Sequence, residues 1–311
     1  MDNTETKIFI AGHRGMVGSA ILRKLYERGF SNIVCKDRNS LDLTDQENVK
    51  SFFDEERPEY VIIAAARVGG IQANISYPAD FLYENLAIQN NLIHQSYLHG
   101  VEKICFLGSS CIYPKECPQP MKEEYLLTGR LEPTNEGYAI AKIAGVKMVD
   151  FYNDQYGLDG FSVIPCNLYG TNDDFNPLHS HVLSATVKKF VDAVDNNVQN
   201  VTIWGTGVAR REFMHVDDAA EAILFLMNGY RSSRPINVGW GEDISIKNLA
   251  TIIGEKVGFR GEIIWDESKP DGMLRKCMDI SRISSLGYKP KITLDAGITR
   301  TIEEYKKNKR S

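Results

Sequence analysis

The chain has 311 residues, of which 43% are hydrophobic and 25% charged, and a formal net charge of −5. The composition excludes a disordered or fibrous polypeptide, and the length predicts two lobes rather than one compact unit. A mildly acidic surface does not recruit nucleic acid or anionic lipid, so a phosphate-bearing ligand has to be held by locally placed Arg, Lys and backbone N–H groups.

Residues 1–6 are polar and lack the apolar stretch of a secretory signal, and no run is long enough to span a bilayer, which predicts a cytoplasmic protein. Residues 7–11 form a short apolar run that ends at glycine, and residues 16–28 carry apolar side chains at helical spacing until Gly29 stops them. The alternation continues with a strand at 32–36, a helix at 46–56, a strand at 60–66, a helix at 79–98 and a strand at 103–107. A helix at 138–156 and a strand at 161–166 follow. Strands that are apolar on both faces and separated by helices predict an α/β, Rossmann-like, doubly wound parallel sheet with right-handed crossovers.

After Tyr169 the rhythm breaks. Residues 170–211 are richer in Asn, Asp, His and Pro, with a helix at 181–196 and a strand at 201–204. Residues 213–228 read as a helical return and 235–238 as a strand. The expected division is therefore discontinuous: residues 1–170 and about 213–240 form the cofactor lobe, and 171–212 with 241–311 form a smaller α/β substrate lobe. The basic cluster at 306–310 reads as a solvated tail. The cysteines at 35, 105, 111, 117, 166 and 277 contain no C-x-x-C pair and read as free thiols, with Cys35, Cys105 and Cys166 as small core residues.

Gly12, Gly15 and Gly18 make G-x-x-G-x-x-G between a strand and a helix, the setting in which a glycine pattern becomes a dinucleotide site. There the backbone approaches the pyrophosphate, whose charge rests among unpaired N–H groups at the helix N-terminus. An NAD site wants a carboxylate at the end of the second strand, whereas a 2′-phosphate wants a cation. The chain reads Lys36-Asp37-Arg38 at that point, with Arg14 inside the loop, so NADP is favoured although Asp37 speaks for NAD.

Tyr138 and Lys142 form Y-x-x-x-K, a spacing that puts both on one helix face. An ammonium beside the phenol is expected to lower its pKa from the ordinary value of ~10. Ser109 follows a strand at the C-terminal edge of the sheet, where ligands bind in this architecture. Glycine loop, serine and Y-x-x-x-K in this order resemble the short-chain dehydrogenase/reductase superfamily, and the length resembles its extended, sugar-nucleotide branch.

Within that branch the strings AGHRGMVGSAI, ARVGGI, YPADF, LGSSCIYP, LEPTNEGYAIAKIAG, NLYG, SHV, REFMHVDD and SKPDG closely resemble the GDP-L-fucose synthases, over nearly the whole chain. The resemblance implies NADPH as cofactor, GDP-4-keto-6-deoxy-D-mannose as substrate, and a homodimer formed through the helices beginning near Ala79 and Tyr138. It implies epimerisation on both sides of the ketone, then hydride delivery to the ketone. For the cofactor it assigns Gly12, His13, Arg14, Gly15, Met16, Val17, Gly18, Lys36, Arg38, Leu41, Leu107, Gly108, Ser110, Lys142, Pro165, Cys166, Asn167 and Leu168. The catalytic set it implies is Ser109, Cys111, Tyr138, Lys142 and His181, with His181, Lys189, Trp204, Arg211 and Asp271 on the substrate.

These residue types suit the chemistry. Inversion beside a ketone needs a base on one face, an acid on the other and donors for the enolate oxygen. Cys111 falls where sugar 4-epimerases and 4,6-dehydratases usually carry Thr, and a thiol of pKa ~8.5 exchanges protons near neutrality as threonine does not. His181, in H-S-H-V, resembles the family's acid, and imidazole titrates in the required range. The spacing His179-x-His181 raises a metal, but no Cys or carboxylate at ligand spacing supports one, and none is expected. Three departures from the family pattern stand out: Lys189 in place of Arg, Gly137 before Tyr138, and Thr171 after L-Y-G. Three other readings remain open. One is an epimerase or dehydratase that retains NAD, another is a GDP-colitose synthase acting on a 3-deoxy relative of the substrate, and the last is a silent nucleotide-binding scaffold.

Overall fold

The computed structural model describes residues 3–176, 180–269 and 271–310. Strand β1 (Ile8–Ala11) is buried at every position and feeds helix α1 (Met16–Glu27), which turns Ala20, Ile21 and Leu25 inward. Next come β2 (Ile33–Val34), α2 (Gln46–Glu56) and β3 (Tyr60–Ile63). Asp45 caps α2 by accepting from the N–H groups of Glu47 and Asn48, which satisfies two of the orphan donors of its first turn. A short helix α3 (Ile71–Ser76), unmarked by any periodicity in the sequence, precedes α4 (Pro78–Leu98) and β4 (Lys103–Leu107). Helix α5 (Glu136–Tyr156) and β5 (Gly160–Pro165) complete the alternation.

The chain then runs through β6 (Asn167–Tyr169), α6 (Val182–Asp195), β7 (Asn200–Trp204), β8 (Arg210–His215), α7 (Val216–Gly229) and β9 (Ile236–Val238). It ends with β10 (Asp243–Ser245), α8 (Ile246–Val257), β11 (Glu262–Asp266), β12 (Arg275–Lys276), α9 (Ser281–Ser285) and α10 (Leu294–Arg310). The main sheet has the order β2-β1-β3-β4-β5-β9 and is parallel throughout. Helix α1 packs on α7, while α2, α4 and α5 lie side by side, so both faces of the sheet are covered as a parallel sheet requires.

A four-stranded sheet is centred on β8, which pairs with β6 and β12 in parallel and with β10 antiparallel. Strands β7 and β11 form a separate parallel pair. Two hydrophobic clusters result. One surrounds the main sheet and includes Ala219, Ile223 and Ile236; the other gathers Leu183, Phe190, Leu249, Ile253, Ile298 and Ile302 from α6, α8 and α10. Among the described residues no helix is long and apolar enough to cross a membrane.

Two readings of the sequence need correction. The helical return begins at Val216, not at residue 213, because Phe213, Met214 and His215 pair with Asn167, Leu168 and Tyr169. The third strand closes at Ile63, and Ala64 to Ala66 continue as irregular backbone along the cleft described next.

Candidate active site

The C-terminal ends of the main-sheet strands open into a cleft of about 1750 Å³, bordered by every residue that the sequence singled out for cofactor, substrate or chemistry. Ligand pockets usually occupy about 300–1,000 Å³, so this volume suits two ligands end to end. At one end the glycine loop meets the N-terminus of α1. Gly12 has φ +88°, and a Cβ there would lie 2.6 Å from the backbone nitrogen of Ala65. A Cβ on Gly18 would lie 2.1 Å from the Gly12 carbonyl oxygen, so helix and loop pack too closely for any side chain. Gly15 caps α1 without a side-chain acceptor, and the first turn holds no acid, which leaves N–H donors and a positive helix end for a pyrophosphate. Beside them the buried Nδ1 of His13 has no partner among the described residues.

The cations at the end of β2 are engaged unequally. Lys36 Nζ lies 3.0 Å from Glu56, and Arg14 lies 2.9 Å from Asp37. Arg38 is exposed and 3.9 Å from Glu84, which makes it the least committed of the three. Asp37 also accepts from the Ser40 hydroxyl at 2.7 Å, and this bond, ahead of the Arg14 charge, holds its carboxyl below the usual range. The carboxylate that spoke for NAD is thus ionised and already engaged by Ser40 and Arg14.

Midway along the cleft stand Ser109, Cys111, Tyr138 and Lys142. Ser109 lies just past β4, and its Oγ accepts the Cys111 N–H at 3.4 Å. The same hydroxyl favours the ionised forms of both the Tyr138 phenol and the Cys111 thiol, so one oxygen stands beside both proton-bearing groups. Lys142 reaches the end of β4 and donates to the Leu107 carbonyl at 2.7 Å, its Nζ 5.8 Å from the Tyr138 ring centre. Burial lowers its pKa to about 8.

The expected lowering of the Tyr138 pKa does not occur. Desolvation dominates and pushes the phenol well above its ordinary value, helped by the Cys111 charge and opposed only by Ser109. Lys142, one helical turn from Tyr138, donates instead to the Leu107 carbonyl at the end of β4. Tyr138 therefore stays protonated, the form a donor to an oxyanion requires.

The far end of the cleft is built from α6, β7, β8 and the segment before β12. His181 caps α6 with its side chain exposed and near the partly buried Asp173 carboxylate, which accepts the Ser184 hydroxyl. His179 lies outside the described residues, and the described residues hold no metal-binding cluster. Lys189 donates to the Thr202 carbonyl at 2.8 Å. Trp204 is 56% exposed, leaving a bare aromatic face with Lys269 Nζ 5.6 Å from its centre. Arg211 is braced by the carbonyls of Met273 at 2.6 Å and Asp271 at 3.1 Å, and the Asp271 carboxylate accepts from the Thr206 N–H and hydroxyl at 2.8 and 2.7 Å.

Residues 8–239 match the NAD dependent epimerase/dehydratase family. The chain belongs to this family. It is 54% identical to GDP-L-fucose synthase 1 of Arabidopsis thaliana, over 99% of this chain and 95% of that protein. It is 38% identical to the GDP-L-colitose synthase of Yersinia pseudotuberculosis, over 96% of this chain and 97% of that protein. A GDP-L-fucose synthetase from Naegleria fowleri, solved bound to NADP, superposes with a TM-score of 0.92 at 29% identity, covering 99% of this chain and 95% of that one. Within the epimerase/dehydratase family the chain stands with the GDP-L-fucose synthases.

Of the three departures from the family pattern, Gly137 has a ground in the packing. A Cβ at Gly137 would lie 2.7 Å from the Pro78 carbonyl oxygen, so the close crossing of α4 and α5 makes glycine the residue that fits before Tyr138. The loop holding Thr171 is tied by Asn172, which donates to the Arg14 carbonyl at 2.9 Å and whose N–H donates to Glu304 at 3.0 Å. Among the cleft residues that the sequence reading passed over is Lys276 on β12, in register with Arg211. A lone lysine in a short run outside any motif carries no local signal.

Proposed function

We propose that the chain converts GDP-4-keto-6-deoxy-D-mannose to GDP-L-fucose with NADPH, by 3,5-epimerisation through enolates followed by reduction of the 4-ketone. The observation that carries this reading is that Ser109, Cys111, Tyr138, Lys142 and His181 line one cleft, with the Ser109 hydroxyl tied to the Cys111 N–H. An epimerase that only removes and returns a hydride has no use for a proton-exchanging thiol at this point.

In this reading the glycine loop, the α1 N-terminus and Arg38 hold NADPH, which supplies the hydride. Arg211 and Lys189 face the pyrophosphate, and Trp204 offers its ring to the guanine. Ser109 and Tyr138 donate to the ketone oxygen and stabilise the enolate as Cys111 removes the proton from the neighbouring carbon. His181 delivers a proton to the opposite face. On reduction the Tyr138 hydroxyl protonates the oxygen at carbon 4, with Lys142 as the nearby cation.

The two hydrophobic clusters correspond in this reading to a cofactor lobe and a substrate lobe, in a cytoplasmic enzyme. Helices α4 and α5 pack together and expose Tyr83, Leu98, Ile140, Phe151 and Tyr156, an apolar face suited to a second copy of the chain. The deciding experiment mixes the purified protein with GDP-4-keto-6-deoxymannose and NADPH and identifies the sugar formed. GDP-L-fucose supports the reading. Turnover only of the 3-deoxy substrate would replace it with the colitose reaction, and turnover of neither would remove it.

A further inference from the structure

Asn172 stands in the left-handed region at φ +67°. Asparagine tolerates that conformation better than most residues with a side chain, because its short amide bonds to nearby backbone. Here the amide reaches out of its own loop instead. It donates to the Arg14 carbonyl at 2.9 Å and to the Ser19 hydroxyl at 3.3 Å, 158 and 153 residues back along the chain. Arg14 belongs to the glycine loop, and Ser19 closes the first turn of α1 by donating its N–H to the Gly15 carbonyl at 2.9 Å. Both acceptors therefore sit on the loop and helix end that suit a pyrophosphate.

The other side of the same loop is held by the elements of the second hydrophobic cluster. Asn172 N–H donates to Glu304 on α10 at 3.0 Å. Tyr169, at the start of the loop, packs so closely on α10 that a Cβ on Gly297 would lie 2.0 Å from its hydroxyl. Asp173 N–H closes the turn on the Gly170 carbonyl at 3.1 Å, and its carboxylate accepts the Ser184 hydroxyl in the first turn of α6, the helix capped by His181. Two adjacent residues, Asn172 and Asp173, thus join the glycine loop to the start of α6, with α10 behind them.

The side-chain bonds of Asn172 are exposed and compete with water. A ligand that orders the glycine loop favours the closed form of this tie and leaves less ordering to a ligand that binds against α6. By linkage the effect is equal in the reverse direction.

We propose that Asn172 is a positioning residue through which a cofactor in the glycine loop and a sugar nucleotide beside His181 strengthen each other's binding. The inference rests on the reading of those two ligands. Asn172 itself lies outside the lining of the cleft and acts only through Arg14, Asp173 and Ser184.

The test uses two unreactive probes, NADP+ and GDP, and measures the GDP dissociation constant by calorimetry with and without saturating NADP+. The wild type is expected to bind GDP about fivefold or more tightly when NADP+ is present, the lower end of ordinary coupling between sites. Asn172→Gly keeps the positive φ and the N–H to Glu304 but removes the amide, and Asn172→Asp keeps the shape but has no donor for the Arg14 carbonyl. Ser184→Ala breaks the opposite end and leaves the glycine loop untouched. All three are expected to bring the ratio close to one, with thermal unfolding and the affinity for each probe alone little changed. A merely structural role would shift unfolding and both affinities together and leave the ratio in place. A wild-type ratio of one, or a ratio kept in any of the three variants, overturns the proposal. Failure of the wild type to bind NADP+ or GDP at all overturns the functional reading instead, so the two failures are distinguishable.

Discussion

Glu212 is 0% exposed on β8, between the braced Arg211 and the core residue Phe213. Its carboxylate accepts the N–H groups of Gly241 at 2.6 Å and Met278 at 2.7 Å, joining β8 to the turn before β10 and to the segment after β12. Burial outweighs these bonds and raises its pKa from 4.5 to about 7. A folded-state pKa above the unfolded one means that the native protein binds more protons in between, so this group's contribution is full below pH 4.5 and is lost as the pH rises to about 7. At about 1.4 kcal/mol per unit, the 2.5 units between those values amount to roughly 3 kcal/mol. Glu212→Gln removes the titration and offers one acceptor oxygen to two N–H donors, which costs about 1–3 kcal/mol at any pH. The measurement compares urea unfolding of the two proteins at pH 5, 6, 7 and 8. The wild type is expected to exceed the variant most at pH 5, with the gap closing by roughly 3 kcal/mol towards pH 8. Parallel curves would refute the argument and place the ionised carboxylate in a more hydrated setting than its burial implies.

Replacing Arg38 by Ala is expected to weaken NADPH binding tenfold or more, roughly the loss of one charge-assisted bond, and NADH little, as read by fluorescence titration. Equal losses with both cofactors would remove the 2′-phosphate argument. Tyr138→Phe is expected to lower the reduction rate on the order of a hundredfold or more, with GDP affinity unchanged by calorimetry; wild-type turnover would place the proton source elsewhere. Cys111→Ser should abolish deuterium uptake beside the ketone in D2O without NADPH, whereas His181→Gln should retain some exchange with incomplete inversion. Normal fucose formation by the serine variant would reduce Cys111 to a packing residue.

Much of the fold is legible because its signals are local. Residues 8–11 are buried at every position, and glycines 12 and 18 occupy places that admit no Cβ. The strand β8 was not legible: Phe213 and Met214 run into the apolar spacing of α7, and only pairing with β6, some 46 residues earlier, makes them a strand. The distances that matter at the site are non-local for the same reason. Tyr138 and Lys142 share a helix face, yet the lysine is claimed by the end of β4 and the phenol is governed by burial. Lys276 joins Cys111 on the lining of the cleft across 165 residues of chain and announces itself by no pattern.

The proposed reaction asks opposite things of two acids in one cleft. Cys111 has to give up its proton near neutral pH, and Tyr138 has to keep its own until the ketone oxygen becomes an alkoxide. In water the two groups differ by only about 1.5 pKa units, too little to separate the roles cleanly. Burial raises both, but the neighbours act unevenly: Lys276 and Lys142 favour the thiolate, whereas Tyr138, with the Lys142 ammonium 5.8 Å from its ring, stays governed by burial and by the Cys111 charge. Once Cys111 is ionised, Tyr138 becomes harder to ionise, so the phenol keeps its proton for the substrate oxygen. The separation of roles thus follows from these neighbours, and a variant that moves a cation towards Tyr138 is expected to favour the phenolate and lower the rate of NADPH oxidation at neutral pH; an unchanged rate would show that Tyr138 is not the proton donor.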